Sequence, residues 1–404
     1  MPILKEYSSP FIYLILVLPY GISGGFIGVT LPFLLVKNGF SIAAAAAVTA
    51  LAISSNVFRF LWGPMTDLTL TLHKWYIIGV LFSSFTLSLF CFIPLTLSFR
   101  AIIMTLAFTS QIAATFIVSP IGGFMAKTVK KERKGMASGC FQAANLGGIG
   151  IGGGLGLWLS IHLSYQIAII LLILAMLFCS LALYWVPQVK AVSDKKILER
   201  IKLIGVDIKE LIHSPLSLFS FIIIFTPIGV GAAQFLWSSV AKDWRVSPDL
   251  VALITGTLFG IASGIGGLLG GYISDKFGRW LAYFGSGAAL AVITFFMGIS
   301  SFVQSSYIMG VLAYGLMCGV NCAAYSTIIL YAIGHGLAST KYALLSSVGN
   351  IPLAYMTAID GWLHDYAGIK MMLFGETLIG FFFILIFLFI MKHYKIYKMN
   401  EMAY

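Results

Sequence analysis

Charge is what this chain has least of. Asp, Glu, Lys and Arg make up 10% of its 404 residues, while 59% are hydrophobic and the mean hydropathy is +0.98. Soluble domains carry roughly 25% charged residues. A water-soluble fold could not cover this much apolar surface, whereas a bilayer requires no such cover, so the composition indicates a polytopic membrane protein. Cysteine is also scarce. Cys91, Cys140, Cys179, Cys318 and Cys322 all lie in apolar runs, without Cys-x-x-Cys or a His/Cys ligand spacing, which argues against a redox or metal centre. His73, His162, His213, His335, His364 and His393 are scattered, and only Asp360 and His364 stand one helical turn apart. That is thin support for a membrane enzyme such as an acyltransferase. Glycine-rich runs such as 150–156 lack the Gly-Lys-Ser/Thr that a phosphate loop needs, so no ATP site is expected. No cofactor is expected either. The chain also leaves no room for a soluble output domain, as a transporter-shaped receptor would need.

What is present is a series of apolar runs separated by short polar breaks. They predict twelve membrane-spanning helices near 11–36, 42–62, 75–94, 100–126, 136–161 and 165–187, then 216–241, 249–274, 280–300, 306–334, 342–363 and 371–391. The N-terminal apolar run continues past signal-peptide length and is read as the first span. Six spans (1–187), a polar connection (188–215) and six more (216–404) make two halves. The net charge of +11 does not point to nucleic acid, because the basic residues lie in short loops and form no basic domain. With both termini in the cytoplasm, only Lys37, Arg100, Lys242, Arg245 and Lys370 fall outside; every other Lys and Arg falls inside. The connection itself is amphipathic, with Ile197, Ile201, Ile204, Ile208 and Leu211 at helical spacing among charged residues. It reads as a tether along the membrane face, with a lipid or partner contact as the alternative.

Glycines crowd span five (Gly139, Gly147, Gly148, Gly150, Gly152, Gly153, Gly154, Gly156) and span eight (Gly256, Gly260, Gly264, Gly266, Gly267, Gly270, Gly271). Such helices approach closely, and pseudo-symmetry places these two at the interface between halves. Span eight ends in Gly271-Tyr272-Ile273-Ser274-Asp275-Lys276-Phe277-Gly278-Arg279, and a diluted copy, Gly63-Pro64-Met65-Thr66-Asp67, follows span two. Asp275 is placed to accept hydrogen bonds from a neighbouring helix N-terminus, and Gly271 one turn earlier leaves room for that approach. Gly278 permits the reversal and Arg279 offers a charge.

The later stretch resembles motif A of the major facilitator superfamily, Gly-x-x-x-Asp-(Arg/Lys)-x-Gly-Arg, at Gly271, Asp275, Lys276, Gly278 and Arg279. The earlier copy matches only Gly63 and Asp67 and runs on into Leu68-Thr69-Leu70 without Gly-Arg. The resemblance implies an all-α fold of twelve helices in two pseudo-symmetric six-helix bundles, working as a secondary transporter by alternating access. By this resemblance Gly63, Asp67, Gly271, Asp275, Gly278 and Arg279 would form a conformational latch, with Asp275 facing the start of span five near Gly135 and Asp67 facing the start of span eleven near Lys341. The runs 134–139 and 342–347, with Gly153-Gly154-Leu155-Gly156-Leu157-Trp158 and Asp360-Gly361-Trp362-Leu363, look like the AmpG-type branch, whose members carry peptidoglycan fragments or acyl-CoA; some siderophore importers look similar. That branch often places an acidic residue in span one, where this chain has Leu18-Pro19-Tyr20-Gly21.

By the same resemblance spans one, four, seven and ten line the cavity. Tyr20, Gln111, Gln234, Trp237, Asn321 and Tyr325 lie on them near mid-depth, with amides and phenols to bond a sugar or peptide and rings to stack on it. Interhelical hydrogen bonding is the alternative for these residues, and Asn145 and Asn350 are read as interface residues. Asp360, at the end of span eleven, and Glu376, at the start of span twelve, are the candidates for proton coupling, against a solvated pair at the outer rim. Arg59 reads as a snorkelling or motif-contacting residue. The expected partners are the bilayer, a small-molecule substrate and protons; the expected state is a monomer in the inner (cytoplasmic) membrane.

Overall fold

The computed structural model describes residues 7–40, 42–61, 65–66, 69–188, 222–333 and 338–393. All regular structure among them is helical. Eight helices are long and apolar enough to cross a membrane. They are α1 (Ile12–Leu35), α4 (Leu97–Thr128), α5 (Lys131–His162), α6 (Tyr165–Trp185), α8 (Leu253–Phe277), α9 (Arg279–Ile299), α10 (Gln304–Ala332) and α12, which begins after the kink at Ala367 and Gly368. The other four spans are α2 (Ile42–Ser54 with a 3-10 turn Val57–Leu61), α3 (Leu72–Leu89), a broken α7 (222–244) and α11 (338–366). The connection 188–215, and with it the amphipathic helix expected there, lies almost wholly outside the described residues, as do Gly63 and Asp67.

The boundaries follow local chemistry. Thr71 caps α3 by accepting from the Lys74 amide, and Ser164 caps α6 by accepting from the Ile167 amide. Gly278, at φ +97°, lets the chain reverse between α8 and α9 without a Cβ penalty.

Glycine sets the approach of α5 to α8. A Cβ on Gly139 would stand 2.6 Å from the Gly267 carbonyl oxygen, and one on Gly271 would stand 2.6 Å from that of Gly135. The backbones therefore touch, as the glycine pattern predicts. Both helices also carry a π-turn, Ile151–Leu155 in α5 and Ala252–Leu258 in α8. The Thr30 hydroxyl of α1 donates to the carbonyls of Gly152 (2.9 Å) and Gly153 (3.0 Å) at the first of these turns. A π-turn widens the helix and leaves carbonyls less well paired, and Thr30 meets them from the neighbouring helix.

One expectation is corrected here. Span seven is not a continuous helix. After Ile222–Ile224 the chain leaves helical geometry, passes Thr226 and Pro227, and takes left-handed turns at Gly229 (φ +63°) and Gly231 (φ +72°) before 3-10 and α turns resume at Ala232–Phe235 and Trp237–Val240. Proline removes the amide that would continue the helix, and the two glycines accept a conformation that other residues resist.

Gly271→Val should lower the thermal midpoint of the purified protein, at a cost of about 1–3 kcal/mol from overpacking a backbone contact. Gly147→Ala, where no atom lies within 4 Å of the added Cβ, should leave the midpoint unchanged. Differential scanning fluorimetry of the two variants reads the difference.

Candidate functional site and the contacts between halves

Helix α5 begins without a cap of its own: Arg133, at its N-cap, offers no side-chain acceptor. Its first amides would be left unpaired, as at any helix start. Asp275 of α8 supplies the missing acceptors from the other half. One carboxylate oxygen accepts from the Gly135 amide and the other from the Met136 amide, each at 2.7 Å. A carboxylate on the positive end of a helix dipole makes short, charge-assisted bonds. Gly135 is required there, because a Cβ on it would collide with the Asp275 carboxylate. Asp275 thus sits opposite the residue that pseudo-symmetry indicated.

The same face carries further bonds between halves. The Tyr331 hydroxyl donates to the Lys131 carbonyl of the other half at 2.9 Å, and its ring is held within its own half by the Arg279 guanidinium, 4.1 Å away. The Lys134 ammonium reaches the Leu330 carbonyl at 3.4 Å. Deeper in, Gln142 of α5 donates to the Ser326 hydroxyl of α10 at 2.7 Å. At the symmetric corner, Arg59 is buried and donates to the Ser346 hydroxyl of α11, while Ser347 donates to the Asn56 carbonyl at 3.4 Å. Arg59 therefore binds the opposite half, which goes beyond snorkelling. Gln142, Ser326, Ser346 and Ser347 carried no signal that would separate them from ordinary helix-packing residues. Lys341, the expected partner of Asp67, is buried at the start of α11.

The candidate cavity residues divide into three groups. In the first half, Gln111 is buried and donates to Ser23, to the carbonyl at 3.4 Å and to the hydroxyl at 3.2 Å, which ties α4 to α1. Tyr20 is half-buried and donates to Asn56 Oδ1 at 2.9 Å. Within the second half, the Tyr325 hydroxyl donates to the Leu345 carbonyl at 3.3 Å, tying α10 to α11 before the break at Gly349. Asn145 and Asn350 bond within their own helices, to Gln142 Oε1 at 3.4 Å and to the Ser346 carbonyl at 2.9 Å.

The third group gathers around the broken α7. Asn321 donates to the Tyr283 carbonyl and the Ser286 hydroxyl, each at 3.0 Å, and stands so close to Gly229 that a Cβ there would lie 2.6 Å from its Nδ2. Gln234 lies beside Gly231. Trp237 is fully buried and packs edge-on against Tyr314, with ring centroids 5.2 Å apart; its indole N–H has no partner. It stands in the core of the second half.

Asp360 and Glu376 join this third group. The expectation that they end and begin their spans is corrected. The turn between α11 and α12 lies at Ala367 and Gly368, so each carboxyl stands about two helical turns inside the outer helix ends, on the order of 10 Å. Asp360 is fully buried, and neither of its oxygens has a hydrogen-bond partner. Glu376 accepts from the Tyr314 hydroxyl through one oxygen, while the other has no partner. Glu376, Pro227, Gly229 and Val230 line one small cavity with apolar neighbours. His364 pairs with Asp243 at 3.1 Å instead of Asp360, which separates the one acid–histidine pair that spacing suggested. Among the described residues no group of three or more His, Cys, Asp or Glu is placed to hold a metal ion.

The Asp275 contact yields a direct test. Asp275→Asn keeps one acceptor and replaces the other with a donor facing an amide. Hydrogen bonds to charged groups contribute about 1.5–3 kcal/mol each. The variant should therefore expose a Ser138→Cys thiol, buried in α5 next to Gly139, to a membrane-impermeant maleimide on that face. Labelling no faster than with Asp275 intact would show that the contact does not hold the face closed. Asp67→Asn, in the copy lacking Gly-Arg, should impair transport less than Asp275→Asn.

Comparison with known proteins agrees with this architecture. The family model of the Major Facilitator Superfamily matches residues 13–357. No curated protein sequence matches significantly. Among solved structures, the chain is similar to the human organic anion transporter MFSD10 (TETRAN), with a TM-score of 0.73, 14% identity, 93% of this chain and 98% of that chain covered. It is similar to the E. coli fucose:proton symporter FucP, with a TM-score of 0.71, 12% identity, and 93% and 97% covered. The proton:xylose symporter XylE, bound to 6-bromo-6-deoxy-D-glucose, gives a TM-score of 0.70, 13% identity, and 94% and 95% covered. At these identities the likeness is one of fold. With two pseudo-symmetric halves of membrane helices, a motif-A carboxylate capping the opposite half and a family match over most of its length, the chain belongs to the Major Facilitator Superfamily of membrane transporters.

Proposed function

We propose that this protein is a secondary active transporter that imports a small polar solute across the inner membrane by alternating access, driven by protons. The observation that carries the reading is the Asp275 carboxylate bonded across halves to the Gly135 and Met136 amides. Such a contact closes one face and breaks when that face opens, as two rocking bundles require. Residues 1–187 and 216–404 are the bundles, and 188–215 is the tether between them. The bias of Lys and Arg places the Asp275 face, both termini and the tether in the cytoplasm. The chain works as a monomer.

Asp360 and Glu376 are the coupling residues in this reading. Carboxyl oxygens left without hydrogen-bond partners, both of Asp360 and one of Glu376, are costly in a membrane unless they carry a function. FucP and XylE are both described as proton symporters, which favours the same driving ion here. The solute would contact Tyr20, Gln111, Gln234, Asn321 and Tyr325; Trp237, being buried, would support the site from behind. The sequence favours a muropeptide-like glycopeptide as cargo, with a siderophore or another small metallophore as the alternative.

Proteoliposomes test this reading. Labelled anhydro-muropeptide should accumulate against its gradient when the side opposite Asp275 is acidic, and a labelled ferric siderophore should not. The opposite preference would reassign the cargo. Asp360→Asn and Glu376→Gln should abolish uphill uptake while sparing counterflow of the same solute. Unchanged uphill uptake in both variants would remove them from coupling.

A further inference from the structure

We propose that Arg59, with the phenols of Tyr20 and Tyr325 beside it, binds a carboxylate of the transported solute between the two halves. The inference names the substrate class of the transport reading above and rests on that reading.

Two observations carry it. The first is a charge without a complement. Arg59 is 6% exposed, in the 3-10 turn Val57–Leu61 of a membrane span. Among the described residues its one hydrogen bond goes to the Ser346 hydroxyl, its buried Nε–H has no partner, and no carboxylate pairs with it. A guanidinium has five N–H donors and keeps its proton inside a protein. A buried carboxyl can neutralise itself by taking up a proton, whereas a buried guanidinium needs an anion.

The second observation is what stands around that charge. The Arg59 amide bonds to the Asn56 carbonyl at 3.5 Å. Side chains three residues apart in a 3-10 turn eclipse one another, so Asn56 and Arg59 share a face. Asn56 holds the Tyr20 hydroxyl at 2.9 Å on the first half. On the second half the Tyr325 hydroxyl meets the Leu345 carbonyl at 3.3 Å, next to the Ser346 that Arg59 reaches. A Cβ on Gly349 would collide with the Tyr325 hydroxyl, so glycine there gives the phenol its place. Tyr20, Asn56 and Tyr325 keep part of their surface exposed, which leaves the cluster open to an incoming group.

The donor set selects the ligand. The planar fork of a guanidinium matches the two oxygens of a carboxylate, and phenol hydroxyls donate to the lone pairs left over. One fixed positive charge balances one carboxylate, whereas a phosphate group close to doubly charged would leave an excess.

Thermal midpoints of the full-length protein in nanodiscs test the site, with acetate and citrate as probes and chloride as the reference at equal ionic strength. A saturable rise with a carboxylate is expected for the unaltered protein. Arg59→Gln should lose the rise, and Arg59→Lys, which keeps the charge without the fork, should retain part of it. Size-exclusion profiles establish that both variants are folded. No saturable rise with either carboxylate in the unaltered protein overturns the proposal, as does a full rise in Arg59→Gln or a rise with inorganic phosphate alone. Asp67, the nearest acid in the sequence, lies outside the described residues. The midpoint losses of Arg59→Gln and Asp67→Asn should add; coupling between them would show an internal ion pair and overturn the proposal. In proteoliposomes, labelled anhydro-muropeptide should enter roughly tenfold faster than its carboxyl-amidated form, as loss of one charge-assisted hydrogen bond implies. Equal entry of the two leaves the transport reading standing and removes the carboxylate assignment. If neither they nor a ferric siderophore enter, the transport reading fails, while the carboxylate-dependent midpoint still decides the site.

Discussion

A helix start capped from the opposite half is the constraint on which the rest of this structure depends. The Gly135 and Met136 amides need an acceptor, and the Asp275 carboxylate needs donors. Each need is met only while the two halves touch. That is why Gly135, Gly139, Gly267 and Gly271 lie where they do: side chains on any of them would hold α5 and α8 apart. The π-turns at Ile151–Leu155 and Ala252–Leu258 fall in the same two helices, further from the cap. Close packing at one end and looser helical geometry towards the other make a pair of helices that separate more readily than they bend at the cap.

The halves are alike in topology but have diverged in chemistry. In the first half, α1 absorbs its irregularity in a π-turn at Phe26–Thr30. The helix stays continuous, and the polar residues Ser23 and Gln111 satisfy each other. In the second half, α7 breaks outright, and the residues around the break are left incomplete: a carboxyl with no partner, a second half-partnered, and an indole N–H with none. Incomplete polar groups are expensive in a bilayer, so they mark where the protein is finished by something it binds.

This division explains what was legible in the sequence. The motif at Gly271–Arg279 was legible because its spacing encodes geometry directly: glycine one turn before an acid means close approach, and pseudo-symmetry then names Gly135. The approach of α5 and α8 was legible for the same reason. The break in α7 was not, because hydropathy counts side chains, and Pro227, Gly229 and Gly231 sit among residues as apolar as those of any intact span. The depth of Asp360 and Glu376 was missed through a rule that usually holds, namely that an acid marks the end of a span; the turn at Ala367 and Gly368 lies beyond both. Trp237 was assigned by depth along its helix, whereas burial also depends on which side of the helix a residue occupies, and Trp237 is fully buried. The connections of Gln111 and Asn321 depended on partners on other helices, Ser23 of α1 and Tyr283 and Ser286 of α9, which spacing along one helix does not encode.

The energetics of the closed face fit a machine that must reopen. It is held by the Asp275 cap and a small set of neutral hydrogen bonds such as Gln142–Ser326 and Tyr331–Lys131. Neutral bonds contribute about 0.5–1.5 kcal/mol net, and charge-assisted ones about 1.5–3. The glycine contacts between α5 and α8 bring backbones together without burying large side chains, so they add little to the barrier to separation. A bound ligand shifts such an equilibrium only by its differential affinity for the two states, and moving it from one extreme to the other takes about 5.5 kcal/mol. A solute and a cation acting together are of the right size to supply that. A face closed by a large aliphatic core would be beyond their reach. The polar, glycine-spaced character of the closed face is therefore the energetic condition for bound ligands to drive the cycle.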